Sequence, residues 1–175
     1  NFYQTNKIKL SEHVFYEDHE FSTIPCCYAK TITPLDLFIY DYRIGDIQQS
    51  VSDLNQLKRL PHTEKVLNRL IEEYKNLKME KNSSGRTYYC MKAQALLLSY
   101  IRTVMLLEKD RKYGRELGTK MMARFEKCMP DTYSMAEKQY KIFRMLNICH
   151  ISKKIWDELS NSKTYNLLRK KRDFN

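Results

Sequence analysis

Two histidines and two cysteines near the start of the chain are the residues whose types could bind a metal ion. His13 and His19 are separated by five residues, and Cys26 and Cys27 follow as an adjacent pair. Zinc sites draw their ligands from pairs such as Cys-x-x-Cys or His-x-x-x-His, and this sequence contains neither. Adjacent cysteines also seldom reach one zinc ion together. We therefore expect no metal site here and no bound cofactor.

Residue types that could catalyse a reaction are present, but not in the patterns that catalysis needs. The chain has no Gly-x-Gly loop for a phosphate and no serine hydrolase or kinase signature. Two carboxylate pairs, Glu17 beside Asp18 and Glu72 beside Glu73, fall on surfaces that we predict to face water. We expect no enzyme activity from this chain alone. A catalytic or regulatory unit completed by another chain is a third alternative.

Six basic residues at helical spacing are the clearest candidate for a functional pattern in the sequence, and the alternative is the Lys-rich face that helices ordinarily turn to water. They form two rows on two successive predicted helices: Lys120, Arg124 and Lys127, then Lys138, Lys141 and Arg144. The first row recurs at i, i+4 and i+7, and the second at three-residue spacing, so each row follows a helix face. An antiparallel hairpin across Pro130 could merge the two rows into one patch.

The excess positive charge lies entirely in the later part of the chain. Residues 1–60 carry six Lys and Arg against eight Asp and Glu, a balance of −2. Residues 61–175 carry 25 against 13, a balance of +12, which gives the net charge of +10. The last basic cluster is Arg169, Lys170, Lys171 and Arg172. This asymmetry predicts an acidic partner, either an acidic protein segment or nucleic acid, and the last cluster could equally be a localisation signal.

Composition predicts an ordinary folded protein made of helices. The chain has 175 residues, 42% hydrophobic and 30% charged, with only four Gly and four Pro. A sandwich or barrel needs many more turn residues. The five cysteines are an odd number without framework spacing, which predicts free thiols and an intracellular location, nuclear or cytoplasmic. No apolar run reaches the roughly 18 residues of a membrane span, so we expect no membrane association. The first residue is Asn1, which predicts a piece of a longer protein.

The chain divides into a predicted arm over residues 1–32 and one helical domain over residues 33–175. In the arm, aromatic residues are scattered without a helical period, and Pro25 favours an extended backbone. The first helix of the domain is predicted to start at Thr33, because Pro34 then occupies the first helical position.

We predict an all-α domain of about six to eight helices, as an irregular bundle or a short non-repetitive stack of helical hairpins. Helices are predicted to end at Pro61 and Pro130, and Gly114 is interpreted as a break. An apolar stripe predicts a helix over residues 63–80. Residues 87–112 are apolar nearly all round, which predicts the central helix.

These patterns favour a helical protein–protein interaction or scaffold domain. Tyrosine is favoured at interfaces, and the chain has 13 Tyr against one Trp. Candidate anchors are Tyr40, Tyr42, Tyr88 and Tyr89. The alternative is a nucleic-acid-binding helical domain that uses the six basic residues for phosphate contacts. Against it, the aromatic residues mostly occupy predicted core stripes, whereas a stacking platform mixes them with Lys and Arg.

Overall fold

The structure is a computed structural model that describes residues 1–38, 41, 53–77 and 79–161. These residues form eight helices and no strand. The helices are α1 (Phe2–Thr5), α2 (Glu17–Tyr28), α3 (Asp53–Lys58), α4 (Leu60–Asn76), α5 (Ser84–Leu106), α6 (Arg111–Cys128), α7 (Pro130–Ile148) and α8 (Lys153–Ser160). The predicted all-α class and irregular helical bundle are confirmed.

Helix α5 is the centre of the bundle. It packs against α2, α3, α4, α6 and α7. Its fully buried side chains are Tyr89, Ala93, Leu97, Ile101, Val104 and Met105. It starts at Ser84 because the Ser83 hydroxyl accepts a hydrogen bond of 3.3 Å from the Arg86 N–H, which gives an otherwise unpaired first-turn donor a partner. The prediction of a central helix in this part of the chain is confirmed.

Both prolines follow helix ends, as predicted, and each also lies in the first turn of the next helix. Helix α3 ends at Lys58 and Pro61 lies in the first turn of α4, while α6 ends at Cys128 and Pro130 is the first residue of α7. The first N–H groups of a helix have no partner within it, so a proline without an N–H loses nothing there. Single residues, Arg59 and Met129, therefore connect these helices.

The expectation of a helix break at Gly114 is wrong, because this residue lies inside α6 and is buried. A Cβ atom at this position would stand 2.1 Å from the carbonyl oxygen of Val104. Gly114 is therefore required by the close crossing of α6 over the end of α5. Four residues later, Gly118 makes room for the Met105 side chain in the same contact.

The structure does not clearly show the extended arm predicted over residues 1–32. Helix α2 occupies twelve of these residues, contains Pro25 and packs against α4 and α5. Its buried residues are Glu20, Thr23 and Ile24, a set with only one large apolar member, which explains why no apolar period was visible. The helix start predicted at Thr33 is wrong for the described part, since residues 33–38 have no regular secondary structure. The domain boundary at residue 32 stays a prediction.

Helix α4 buries the predicted apolar stripe and one carboxylate that we expected to face water. The stripe of Val66, Leu67, Leu70 and Ile71 is buried, as is Glu73. Two neighbours satisfy Glu73: the Tyr28 hydroxyl donates a hydrogen bond of 2.7 Å, and Arg69 forms an ion pair at 3.0 Å. Glu73 therefore joins α2 to α4 as a structural residue.

Candidate functional site

The first basic row lies on the solvent side of α6. The other side of this helix is buried, through Gly114, Gly118, Met121, Met122 and Phe125. The helical period then directs the next set of residues outward. All three members of the α6 row, Lys120, Arg124 and Lys127, are exposed, as their spacing predicts.

The second row lies on the outer face of α7. This helix buries Thr132, Ala136 and Asn147. The members of the α7 row, Lys138, Lys141 and Arg144, are all exposed. Residues three apart on a helix are displaced by about 60° around its axis, so the α7 row crosses the outer face obliquely instead of running straight along it.

Helices α6 and α7 form an antiparallel pair. Arg115 near the start of α6 donates a hydrogen bond to the Asn147 side chain near the end of α7. One turn further along α6, the hydroxyl of Thr119 lies 3.0 Å from that of Tyr140, one hydrogen bond apart. The residue numbers rise on one helix as they fall on the other, which defines the antiparallel direction.

The two rows do not share the edge at which α6 and α7 meet. Thr119 marks the side of α6 that faces α7. Each residue of a helix is rotated by about 100° from the one before. The three side chains of the α6 row therefore lie about 80–140° around the axis of α6 from Thr119, on the side away from α7. On α7, Tyr140 marks the corresponding edge, and Arg144 follows it by one turn. The two rows therefore lie apart on the outer surface, and Arg144 is the member nearest the edge at which α6 and α7 meet.

Five of the six basic side chains have no ion pair within the part of the chain that the structure describes. The sixth, Lys141, pairs with Glu137 at 2.7 Å, and this hydrogen bond raises the pKa of Lys141. Exposed ion pairs contribute little to stability, so the absence of such pairs costs the fold little. In the described part of the chain, no carboxylate therefore lies within ion-pair distance of these five cations.

Two exposed apolar side chains on the outer face of α7 were missed by the sequence reasoning. Met145 is 59% exposed and Ile148 is 54% exposed, on the outer side of α7. They follow Lys141 by four and seven residues, which is the spacing of one helix face. That spacing was the available signal, but an apolar residue near a helix end is ordinarily assigned to the core.

The possible metal ligands do not come together as a site. Among the described residues, no group of three or more His, Cys, Asp or Glu side chains could hold a metal ion. All five cysteines are free thiols. Burial raises the pKa of Cys27 to about 11, which keeps this thiol protonated at neutral pH.

The predicted tyrosine anchors separate into three kinds of position. Tyr89 is fully buried and donates a hydrogen bond to the Leu70 carbonyl, so it belongs to the core. Tyr88 is partly exposed, and its hydroxyl donates to the Ser22 carbonyl at 2.7 Å. Tyr40 and Tyr42 lie outside the described residues, as does the terminal cluster of Arg169, Lys170, Lys171 and Arg172.

No family model matches the sequence, and no curated protein or solved structure gives a significant match to it. Within the described part of the chain, no helix has the length and apolarity needed to cross a membrane.

Proposed function

We propose that this protein is a helical interaction module that binds an acidic segment of another protein through the α6 row and the α7 row. One observation carries the proposal: five exposed cations on two adjacent helices have no ion pair among the described residues. Uncompensated charge of one sign raises the association rate with a partner of the opposite sign and orients it. We propose a binding role without catalysis, inside the cell, in the nucleus or cytoplasm.

The apolar residues beside the cations favour a protein partner over nucleic acid. A phosphate backbone offers oxygens to Lys and Arg but nothing for Met145 or Ile148 to bury against. A protein segment can supply both carboxylates and apolar side chains. Interfaces between proteins commonly combine a small apolar centre with a polar rim.

Nucleic acid is the second candidate, and one residue favours it. Tyr113 is 50% exposed and lies seven residues before Lys120, on the same face of α6. A base could stack on this ring while the α6 row contacts phosphates, which is how many single-stranded binders combine aromatic and basic side chains.

Titration with simple polyanions tests the proposal. A fluorescent polyglutamate peptide, duplex DNA, single-stranded DNA and single-stranded RNA are each titrated at about 50 mM and about 200 mM salt. We expect polyglutamate to bind and to weaken with salt. The triple variant K120E/R124E/K127E should bind it at least about tenfold more weakly, a loss of about 1.4 kcal/mol.

The control reverses three lysines elsewhere: K65E/K75E/K81E removes the same charge from exposed positions on and just after α4. This variant should retain more binding than the α6 variant, because its changed residues lie outside the two rows. That difference would exclude net charge alone as the cause. Equal losses in both variants would overturn the assignment to the rows. Tighter binding of single-stranded nucleic acid, lost in Tyr113→Ala, would establish the second candidate instead.

A further inference from the structure

The outer face of α7 combines apolar and basic side chains in one small area. Met145 and Ile148 are three residues apart and therefore adjacent on the helix surface. Lys141 precedes them by four and seven residues, Arg144 precedes Ile148 by four, and Lys138 precedes Met145 by seven. Every basic member of the area is thus within two helical turns of an exposed apolar side chain.

This arrangement is that of a small binding centre with a charged rim. Isolated exposed apolar residues are ordinary on protein surfaces. Here two of them are adjacent, and two of the three surrounding cations, Lys138 and Arg144, have no ion pair in the described chain. Binding centres generally consist of a few apolar side chains that lose water on contact, surrounded by polar groups that exclude it.

We infer that the outer face of α7 docks an amphipathic α-helix of a partner protein, whose apolar side chains cover Met145 and Ile148 while its carboxylates meet Lys138, Lys141 and Arg144. The inference rests on the proposed function and specifies its partner. The area extends over eleven residues of α7, about 15 Å at 1.5 Å per residue. A partner helix of three turns is long enough to cover it, with apolar residues at i, i+3, i+4 and i+7.

Charge complementarity selects this occupant over a second copy of the chain. Two copies meeting at α7 would bring the same cations together, and juxtaposed like charges are unfavourable. An anionic lipid surface would also attract the cations, but helices that lie in a membrane present a wide apolar face. Helix α7 exposes three large apolar residues in all, Met135, Met145 and Ile148, which is too few for such a face.

Three synthetic peptides of equal charge test the inference on the whole chain. The first places Leu at i, i+3, i+4 and i+7 with Glu between, the second scrambles this order, and the third contains Glu without Leu. Binding is measured by fluorescence anisotropy. We expect the amphipathic peptide to bind at least about tenfold more tightly than either of the others, because only it can pair both kinds of side chain at once.

A double variant connects the preference to the apolar pair. Met145→Ser with Ile148→Ser should reduce the preference for the amphipathic peptide by at least about tenfold. Met91→Ser is the matched control, since Met91 is 54% exposed on another helix, and its binding should be unchanged. Circular dichroism of each variant verifies folding, and the comparison of peptides on the wild-type chain needs no variant.

The outcomes separate this inference from the proposed function. If all three peptides bind equally and the double variant behaves as wild type, the docking inference is overturned while the acidic-partner function stands. If no peptide binds at either salt concentration, the proposed function fails with it. Binding to anionic vesicles in place of the peptide, or a wild-type dimer in sedimentation that the double variant lacks, would also overturn the inference.

Discussion

The side-chain amide of Asn147 donates a hydrogen bond of 2.7 Å to the main-chain carbonyl of Met105. Met105 lies in the last turn of α5, where carbonyl groups have no partner within the helix. Arg111 donates to the same oxygen at 2.7 Å, and Arg115 donates to the Asn147 side chain. One fully buried asparagine therefore joins the ends of α5 and α7 to the start of α6.

Asn147→Leu should destabilise the fold by about 1–3 kcal/mol, because the partly buried Arg115 loses its acceptor and the Met105 carbonyl keeps only the hydrogen bond from Arg111. Urea unfolding followed by circular dichroism measures the loss. Gln139→Leu, at an exposed position of the same helix, is the control and should change stability by no more than about 0.5 kcal/mol. Equal stability of the two variants would contradict the structural role of Asn147.

Alanine in place of two glycines should act in opposite directions. Gly114→Ala places a Cβ 2.1 Å from the Val104 carbonyl oxygen, so we expect a loss of about 1–3 kcal/mol despite the better helix propensity. Gly85→Ala meets nothing within 4 Å and should stabilise α5 by about 0.4–1 kcal/mol. Thermal unfolding of both variants tests this, and a stabilising Gly114→Ala would show that α6 does not cross α5 so closely.

Stability should decrease at alkaline pH as buried tyrosines lose protons. Burial is the largest of the causes that raise the pKa of Tyr28 to about 12, and the hydrogen bond to Glu73 is the second. The ordinary pKa of a tyrosine is about 10. The folded state then holds this proton more tightly than the unfolded state. Its contribution is complete below about pH 10 and is lost as the pH rises through about 12.

Tyr28→Phe isolates this contribution from those of the other tyrosines. The variant should show a shallower decrease in stability between about pH 10 and about pH 12 than the wild type, measured by urea unfolding at each pH. Tyr113→Phe, at an exposed position, should keep the wild-type slope. Identical slopes for Tyr28→Phe and wild type would show that the pair with Glu73 does not form.

The five thiols should react in an order set by exposure. Cys149 is exposed and should react first with a disulfide reagent at pH 8, whereas Cys90 is buried. Cys27 should also be slow, because burial raises its pKa to about 11 and the thiolate is the reactive form. Mass spectrometry identifies the labelled residues, and Cys149→Ser should remove the fastest phase. Early labelling of Cys27 would be incompatible with its position between α2 and α5.

The helical class and the central position of α5 could be predicted because apolar period and burial correspond directly. Val66 and Leu70 recur at helical spacing and are buried, and α5, whose segment is apolar nearly all round, packs against five other helices. Glu73 could not be assigned to the interior, because its partner Tyr28 is 45 residues away in sequence. Gly114 carried two meanings, a break or a close helix crossing, and only the position of Val104 distinguishes them.

The basic rows could be predicted as exposed, but their relation to each other could not. Spacing places Lys120 and Lys141 on faces of their own helices. It does not give the rotation of one helix relative to the other, which depends on the contact between Thr119 and Tyr140. Met145 and Ile148 were missed for a similar reason, since helical spacing does not say which face the neighbouring helices cover.

A single buried residue, Met129, connects α6 to α7. Changing the length of the chain at this point by one residue would turn α7 by about 100° relative to α6. Asn147 would then leave the carbonyl of Met105, and the cations of α7 would rotate toward the core. We therefore expect substitutions on this surface to be tolerated in evolution, and insertions or deletions at Met129 not to be. A lineage could change what the surface binds by altering its side chains, while the spacing between the two rows would stay constant.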